Sequence, residues 1–167
     1  MTSRHAAPRR SIHVSVPPFQ VFLDQHREAV YRFLVASVGP HEADDCFQET
    51  FLSALRAYPR LRDGSNLRSW VLTIAHRKAL DAHRARRRAP KPSASVPDAP
   101  ASVAEDSDPS IWRRVRGLPP RQRTVVFLRF VGDLPYREVA RIVGSSEEAA
   151  RQSARAGLAT LRKEMVR

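Results

Sequence analysis

The most chemically suggestive residues are four polar side chains closely spaced along one predicted helix: Asp44, Asp45, Gln48 and Glu49. Neighbouring carboxylates can transfer protons, but catalysis requires a pocket that shifts their pKa values, and no pattern around them indicates one. In an otherwise basic protein, an acidic helix face is either solvated or a docking surface for another protein. We therefore expect no enzyme activity from this cluster.

Other residues that could serve catalysis or bind metal also lack the required spacing. His76, Asp81 and His83 match none of the usual helical zinc patterns. The sequence contains no phosphate-binding glycine loop, no nucleophile elbow and no paired-cysteine motif. We therefore predict no catalytic residue, no metal, no cofactor and no small-molecule substrate.

Two further groups combine side chains that suit nucleic acid. Trp70 is accompanied by Arg68, His76, Arg77, Lys78 and Arg84, a mixture that can hold unpaired bases by stacking and phosphates by charge. A lone tryptophan at helical core spacing is more often a packing residue, so both roles stay open for Trp70. Near the C-terminus, Arg151, Gln152 and Arg155 suit guanine and adenine edges, or form a solvated face.

The overall charge favours nucleic acid as the partner. The 167 residues include 29 Lys and Arg against 17 Asp and Glu, a formal net charge of +12, which is typical of proteins that bind polyanions. The basic residues do not form one amphipathic membrane-surface helix, and no segment has the ~20 apolar residues needed to cross a bilayer. The single cysteine, Cys46, fits a reducing cytosol. We expect a cytoplasmic protein that does not engage a membrane.

The elements that position these residues are predicted to be helices in two blocks. A Pro-, Ser- and Ala-rich stretch with several acids, residues 89–110, cannot bury enough apolar surface to fold and is interpreted as a flexible linker. It separates two small helical domains at 18–88 and 111–167, and residues 1–17 are interpreted as a disordered basic arm. The predicted fold class is all-α, because neither block shows a convincing strand-like alternation.

Local stop signals divide the first block into three helices. The first ends at Gly39-Pro40, and the second, whose apolar stripe is predicted to include Phe51 and Leu55, closes before Pro59. The third follows the turn-prone residues 63–66 and runs from Leu67 to Arg88, with an apolar start and a strongly basic end.

The second block has the form of a helix-turn-helix. Its helices are predicted to start at Pro119-Pro120 and at 133–135, and Gly144 is expected as a left-handed C-terminal cap. Ser145 and Glu148 match a capping box that starts the last helix. This last helix, which carries Arg151, Gln152 and Arg155, is predicted to be the recognition helix.

Together these segments resemble the two conserved domains of sigma-70-type factors in their smallest, extracytoplasmic-function form, over about residues 19–88 and 118–163. Residues 42–51, Glu-Ala-Asp-Asp-Cys-Phe-Gln-Glu-Thr-Phe, resemble the family's polymerase-binding helix. The resemblance implies binding to core RNA polymerase, at the β′ clamp helices and at the β flap. The implied core-binding residues are Asp44, Asp45, Gln48, Glu49 and Phe51.

A second segment is similar to the family's promoter-melting helix that reads the minus-10 element. Residues 69–75, Ser-Trp-Val-Leu-Thr-Ile-Ala, lead to Arg-Ala-Arg-Arg-Arg at 84–88. The resemblance implies that the loop 62–66 receives a flipped base while Trp70 supports the opened strand. Arg77 stands where the family usually has Asn, so that contact does not carry over. The implied minus-10 residues are Arg62, Ser65, Asn66, Trp70, Arg77, Lys78 and Arg84.

The third similarity is to the family's minus-35-binding domain, at residues 118–123 and 134–140. The recognition helix departs from the common pattern Thr-Val-Lys-Ser-Arg-Leu-x-Arg-Ala, because Ser153 and Ala156 replace two basic residues. Each lost phosphate contact lowers the salt slope of duplex binding by ~0.9, so the upstream element is expected to be bound weakly or differently. The implied minus-35 residues are Ser146, Arg151, Gln152 and Arg155.

We therefore expect a non-catalytic sigma factor whose partners are core RNA polymerase, promoter DNA and, by the resemblance, an anti-sigma factor. One alternative is a stand-alone helix-turn-helix regulator that binds duplex DNA as a dimer; the 44–51 motif and the lack of an evident dimerisation or ligand domain argue against it. A nucleic-acid-processing enzyme would need a metal-binding carboxylate cluster that the sequence does not show.

Overall fold

The computed structural model describes residues 15–89 and 109–166, and within these ranges the only regular elements are helices, as the all-α prediction requires. The helices are α1 Phe19–Val38, α2 Pro40–Ala57, α3 Leu67–Arg88, α4 Pro109–Gly117, α5 Pro120–Val126, α6 Tyr136–Val143 and α7 Glu147–Met165. A short 3₁₀ helix, Tyr58–Arg60, follows α2, and a π-helical turn, Phe127–Val131, follows α5. We call residues 15–89 the three-helix unit and residues 109–166 the helix-turn-helix unit.

The joint between α1 and α2 is set by Gly39 and Pro40. Gly39 has φ +89°, a conformation that an L side chain rarely adopts, and it ends α1 as predicted. Pro40 follows at the first position of α2. A backbone N–H at this position would have no hydrogen-bond acceptor within the helix, so proline, which lacks one, is tolerated there. The two helices therefore double back on each other and bury Phe22, Val30 and Phe33 between them and α3.

The third helix completes this core with its inward face. Val71, Leu72, Ala75 and Ala79 are buried, and α3 begins at Leu67, where the sequence predicted it. Its C-terminal turn carries three arginines and no buried residue. The unit is thus a small bundle that presents the basic end of α3 to solvent.

The helix-turn-helix unit is built around α5 and α7. Gly144 adopts the predicted left-handed conformation, with φ +65°, at the end of α6. The predicted capping box at the next helix is wrong: the cap of α7 is Ser146, whose Oγ accepts from the Ala149 N–H at 3.1 Å. Because α7 begins one residue later than the capping box assumed, Glu148 lies too close to the helix start to complete the box.

The two units pack against each other within one hydrophobic core. The rings of Phe33 on α1 and Phe127 after α5 meet edge to face with centroids 5.5 Å apart. Most of the predicted linker, residues 90–108, and most of the predicted basic arm, residues 1–14, lie outside the described residues. Residues 16 and 17 are held to the three-helix unit, because Val16 N–H donates to Asp63 and Tyr58 Oη donates to the Pro17 carbonyl.

Candidate functional site

The outer face of α2 presents acidic and amide side chains to solvent. Asp44, Asp45, Gln48 and Glu49 are all exposed, as predicted for a docking face. Asp45 and Gln48 have no hydrogen-bond or ion-pair partner within residues 15–89 and 109–166. These two side chains are therefore available to a partner without breaking an internal contact.

The remaining acids on α2 have internal partners. Glu49 forms an ion pair with Lys78, with a distance of 3.5 Å between the carboxylate oxygen and Nζ, and Glu42 pairs with Arg86 at 2.5 Å. The Tyr31 hydroxyl hydrogen-bonds Asp44, and partial burial together with this carboxylate raises the pKa of Tyr31. The acids along the flanks of α2 thus help to hold α1 and α3 in place.

The apolar residues of α2 are arranged differently from the sequence prediction. Phe51, predicted to bind polymerase, is only 6% exposed and packs against Phe22 and Phe47, so it supports the face from inside. Leu52 and Leu55 are instead 52% and 49% exposed. Because they lie one and two turns beyond Gln48, they continue the acidic face with apolar surface.

The loop before α3 is a tightly bonded turn. The Arg62 carbonyl accepts from both the N–H and the hydroxyl of Ser65, and Gly64 has φ +79°. Asn66 caps α3, since its Oδ1 accepts from the Ser69 N–H at 3.0 Å. The amide nitrogen of the exposed Asn66 therefore remains free to face a ligand while the oxygen is engaged.

Four of the predicted minus-10 residues follow one stripe of α3. Asn66, Trp70, Arg77 and Arg84 are spaced so that they recur on the same side of the helix. Trp70 is half-buried, with ring centroids 5.7 Å from Phe22 and 6.2 Å from Tyr58, so it is mainly a packing residue with one accessible side. Arg77 is exposed, whereas Arg84 pairs with Asp81 at 3.1 Å.

Lys78 does not join this stripe. Its side chain is drawn towards α2 by the ion pair with Glu49 and is about three-quarters buried, with 26% of its surface exposed. Beside the stripe, burial and the nearby Arg77 lower the pKa of His76, because both disfavour a charged imidazole. The structure thus aligns Asn66, Trp70, Arg77 and Arg84 along one side of α3, with Arg62 and Ser65 in the turn that precedes the helix, and leaves Lys78 outside this stripe.

The recognition helix α7 has several of its polar side chains engaged internally. Arg151 pairs with Glu147 at 2.5 Å and lies over the Tyr136 ring, 5.2 Å from its centroid. The Gln152 amide donates to Glu148 at 3.4 Å. Arg155 is exposed and has no partner in the described part of the chain. Of the predicted minus-35 residues, Arg155 is the most available, and Ser146 serves as the helix cap.

Metal-ligating groups are not assembled in the described ranges: no cluster of three or more His, Cys, Asp or Glu side chains is close enough to hold an ion. Among the same residues, no helix has the length and apolar character required to span a bilayer.

Comparison with protein families assigns both units. The three-helix unit matches the model of sigma-70 region 2 over residues 22–89, and the helix-turn-helix unit matches sigma-70 region 4 over residues 109–161. The ECF RNA polymerase sigma factor SigD of Mycobacterium tuberculosis is 35% identical over 86% of this chain and 75% of its own length. The chain belongs to the extracytoplasmic-function (ECF) sigma factors. Such proteins bind core RNA polymerase and direct it to promoters, and they do so without catalysis.

Other similar proteins agree with this assignment. The RNA polymerase sigma factor CarQ of Myxococcus xanthus is 31% identical, covering 86% of this sigma factor and 87% of CarQ. Among solved structures, the sigma factor RpoE in complex with the anti-sigma factor NepR, from Bartonella quintana, superposes with a TM-score of 0.72 at 21% identity, over 87% of this chain and 94% of RpoE. The structure of CnrH in complex with the cytosolic domain of CnrY superposes with a TM-score of 0.64 at 18% identity, over 88% of this chain and 86% of CnrH. These structures share the fold of this sigma factor.

Proposed function

We propose that this sigma factor docks on core polymerase through the outer face of α2 and selects promoters through α3 and α7. The observation that carries the docking proposal is the exposure of Asp45 and Gln48, without internal partners, directly beside the exposed Leu52 and Leu55. A mixed acidic and apolar face on a protein of net charge +12 fits a partner protein, because the carboxylates of this face would repel the phosphates of nucleic acid. The β′ clamp helices are the proposed partner of this face, and the β flap that of the helix-turn-helix unit.

The two kinds of side chain on α2 contribute differently to docking. Burial of Leu52 and Leu55 supplies affinity, at about 25 cal/mol per Å² of apolar surface removed from water. Asp45 and Gln48 fix the register, since charge complementarity mainly governs specificity and association rate. Phe51 acts indirectly, by holding the helix against the core.

At the minus-10 element, the loop at 62–66 is the proposed site for a flipped base. The free amide nitrogen of Asn66 can donate to a base edge, while the bonded turn beneath it limits the entropy lost on binding. Arg77 and Arg84 follow along the same stripe and can bind phosphates of the opened strand. Trp70 offers only its accessible side for stacking. Lys78 would have to break its ion pair with Glu49 before it could bind the opened strand.

At the minus-35 element, Arg155 is the proposed principal contact. Arg151 and Gln152 are held by Glu147 and Glu148, and these acids repel phosphates next to them. Base contacts by Arg151 or Gln152 must therefore displace an internal partner. This arrangement supports a weak upstream contact, with most promoter selection at the minus-10 element.

The remaining parts of the proposal follow from this role. Core polymerase and promoter DNA are cytoplasmic, so we place the protein there, acting by binding alone and without catalytic activity of its own. The related structures of RpoE with NepR and of CnrH with CnrY contain an anti-sigma factor or a cytosolic partner domain, which supports an anti-sigma factor as a further partner here.

Co-elution with core polymerase tests the docking face. We expect the wild-type protein to co-elute on a sizing column and the double variant Asp45→Arg, Gln48→Arg to elute separately, because two positive charges replace the docking groups. Leu52→Ala with Leu55→Ala should weaken binding at least tenfold without lowering the melting temperature, since both side chains are exposed.

The matched control is Asp24→Arg with Gln25→Arg, which makes the same change in charge on the exposed surface of α1. Co-elution of the Asp45/Gln48 variant at wild-type affinity would place the docking face elsewhere. If the wild-type protein binds duplex DNA but never core polymerase, the stand-alone regulator becomes the better description.

A further inference from the structure

The contact between the two units contains a buried polar cluster on α3 and α6. Ser69 on α3 is fully buried, and its hydroxyl donates to the Glu138 carboxylate at 2.6 Å. Arg141, one turn later on α6, donates to the Ser69 hydroxyl at 3.1 Å and to the same carboxylate. Only 13% of the Glu138 side chain is exposed, so its carboxylate receives hydrogen bonds from these two donors in place of water.

Two arginines add hydrogen bonds across the same contact. Arg68 of α3 donates to the Val131 carbonyl at 3.2 Å, and Arg123 of α5 donates to the Ala36 carbonyl in the last turn of α1 at 3.1 Å. Carbonyls in the last turn of a helix have no intrahelical donor. Arg123, in the helix-turn-helix unit, therefore supplies a hydrogen bond to a carbonyl that has no helical donor within the three-helix unit. Each unit thus completes hydrogen bonds of the other.

This packed arrangement is too small to contact a whole promoter. The minus-10 and minus-35 elements lie about 25 base pairs apart by their names, which is about 85 Å of duplex at about 3.4 Å per pair. A compact body of about 130 residues has a radius of gyration of only about 14 Å. The 19 residues from 90 to 108 can reach at most about 65 Å when extended, which permits the units to separate while they remain linked.

We propose that the Ser69–Glu138–Arg141 cluster is an autoinhibitory latch that holds the two units closed in the free protein and must open when the sigma factor joins polymerase and promoter. The inference rests on the proposed function, since only simultaneous contact with both promoter elements requires separation. The latch lies next to the minus-10 surface, because Ser69 is the immediate neighbour of Trp70 and follows the Asn66 cap by three residues. In the closed state, α6 therefore flanks the helix that must receive the opened strand.

The polar character of the latch suits reversible opening. Hydrogen bonds to a charged group are exchanged for water when the contact opens, so each contributes modestly to the closed state. The Phe33–Phe127 ring contact supplies the apolar part, and the free energy of binding to polymerase must offset its loss. Removing the polar cluster should therefore favour opening, because the packing among α1, α2 and α3 and the packing of α5 on α7 do not involve it.

The distance between two spin labels, measured by pulsed electron paramagnetic resonance, reports the closed state directly. Labels are attached to cysteines introduced at the exposed positions Gln25 on α1 and Lys163 on α7, in a chain carrying Cys46→Ala. The distribution of label-to-label distances in the wild-type protein should be narrow and centred at a short distance.

Ser69→Ala with Glu138→Ala should raise the open-to-closed ratio by at least about tenfold. The independent variant Arg68→Ala should shift it in the same direction. The control Glu28→Ala, which breaks an ion pair within α1, should leave it unchanged.

Addition of core polymerase should convert the wild-type distribution to long distances. The proposal is wrong if the free wild-type protein already shows long distances, if the Ser69/Glu138 and Arg68 variants both keep the wild-type distribution, or if the bound protein retains the short distance. Circular dichroism identifies any variant that fails to fold. Failure of the wild-type protein to bind core polymerase at all would instead overturn the proposed function, and leave the closed state of the free protein as a separate result.

Discussion

At the scale of single residues, Asn66 combines two roles in one side chain. Its side-chain oxygen caps α3 by accepting from the Ser69 N–H, while its amide nitrogen is the group proposed to contact a promoter base. An N-terminal cap fixes where the helix starts, and so positions Trp70 one turn later. The proposed minus-10 surface therefore depends on the same side chain for its geometry and for its proposed contact with a base.

Two substitutions at Asn66 separate these roles. Asn66→Ala should lower the free energy of unfolding by about 1 kcal/mol, because it removes the cap. Asn66→Asp keeps a capping oxygen, so its melting temperature should stay near wild type. Both should strongly reduce promoter opening, measured by permanganate reactivity of unpaired thymines, because both lose the amide donor. Wild-type opening by Asn66→Asp would contradict a base contact through this amide.

Residue-level prediction from the sequence was limited by the direction of side chains. The periodicity of α2 predicted an apolar stripe containing both Phe51 and Leu55, yet Phe51 is buried and Leu55 is half exposed. Helical spacing fixes which residues share a side, but residues at the edge of a stripe turn inward or outward according to the neighbouring helices. Similarly, the pairing of Lys78 with Glu49 depends on how α3 packs against α2, which spacing along one helix does not encode.

At the scale of elements, the packing of α7 on α5 depends on Gly157. A Cβ added there would lie 2.7 Å from Val126 Cγ2 and 3.5 Å from Gln122 Cβ. Val126 is buried and β-branched, so it cannot turn aside freely. Glycine is unfavourable inside a helix by about 1 kcal/mol relative to alanine, and the close approach of the two helices accounts for its presence here.

Gly157→Ala should therefore destabilise the protein by about 1–3 kcal/mol through overpacking, measured by urea unfolding. In a Val126→Ala background, the same substitution should become neutral or stabilising, because the clash is gone and the helix propensity improves. A Gly157→Ala effect that is equally unfavourable in both backgrounds would show that the Val126 contact is not its cause.

Helix boundaries were largely predictable where the sequence contains a strong local signal. Gly39-Pro40 ends α1, and α3 spans Leu67–Arg88 as expected. The π-helical turn after α5 was not predicted, because its Gly132 N–H to Phe127 carbonyl bond leaves no distinct pattern in the sequence. The cap of α7 was misplaced by one residue, since Ser145 and Ser146 offer the same chemistry and only the fold selects between them.

At the scale of the whole molecule, two helical units were predicted, but their packing was not. Phe33 and Phe127 lie in different predicted units, at 18–88 and 111–167, and their rings meet only because the units close on each other. Contacts between residues far apart in sequence carry no periodic signal. The closed arrangement, and with it the polar cluster at Ser69, is therefore information that only the three-dimensional structure supplies.

The central claim is that this chain directs core polymerase to specific promoters, and in vitro transcription tests it most directly. Core polymerase is supplied with sheared genomic DNA from the source bacterium, with and without the purified protein, and the 5′ ends of the transcripts are sequenced. We predict new start sites that share a sequence motif at minus-10, a weaker one at minus-35, and dependence on Asp45 and Gln48. The same set of transcripts with and without the protein would contradict the claim.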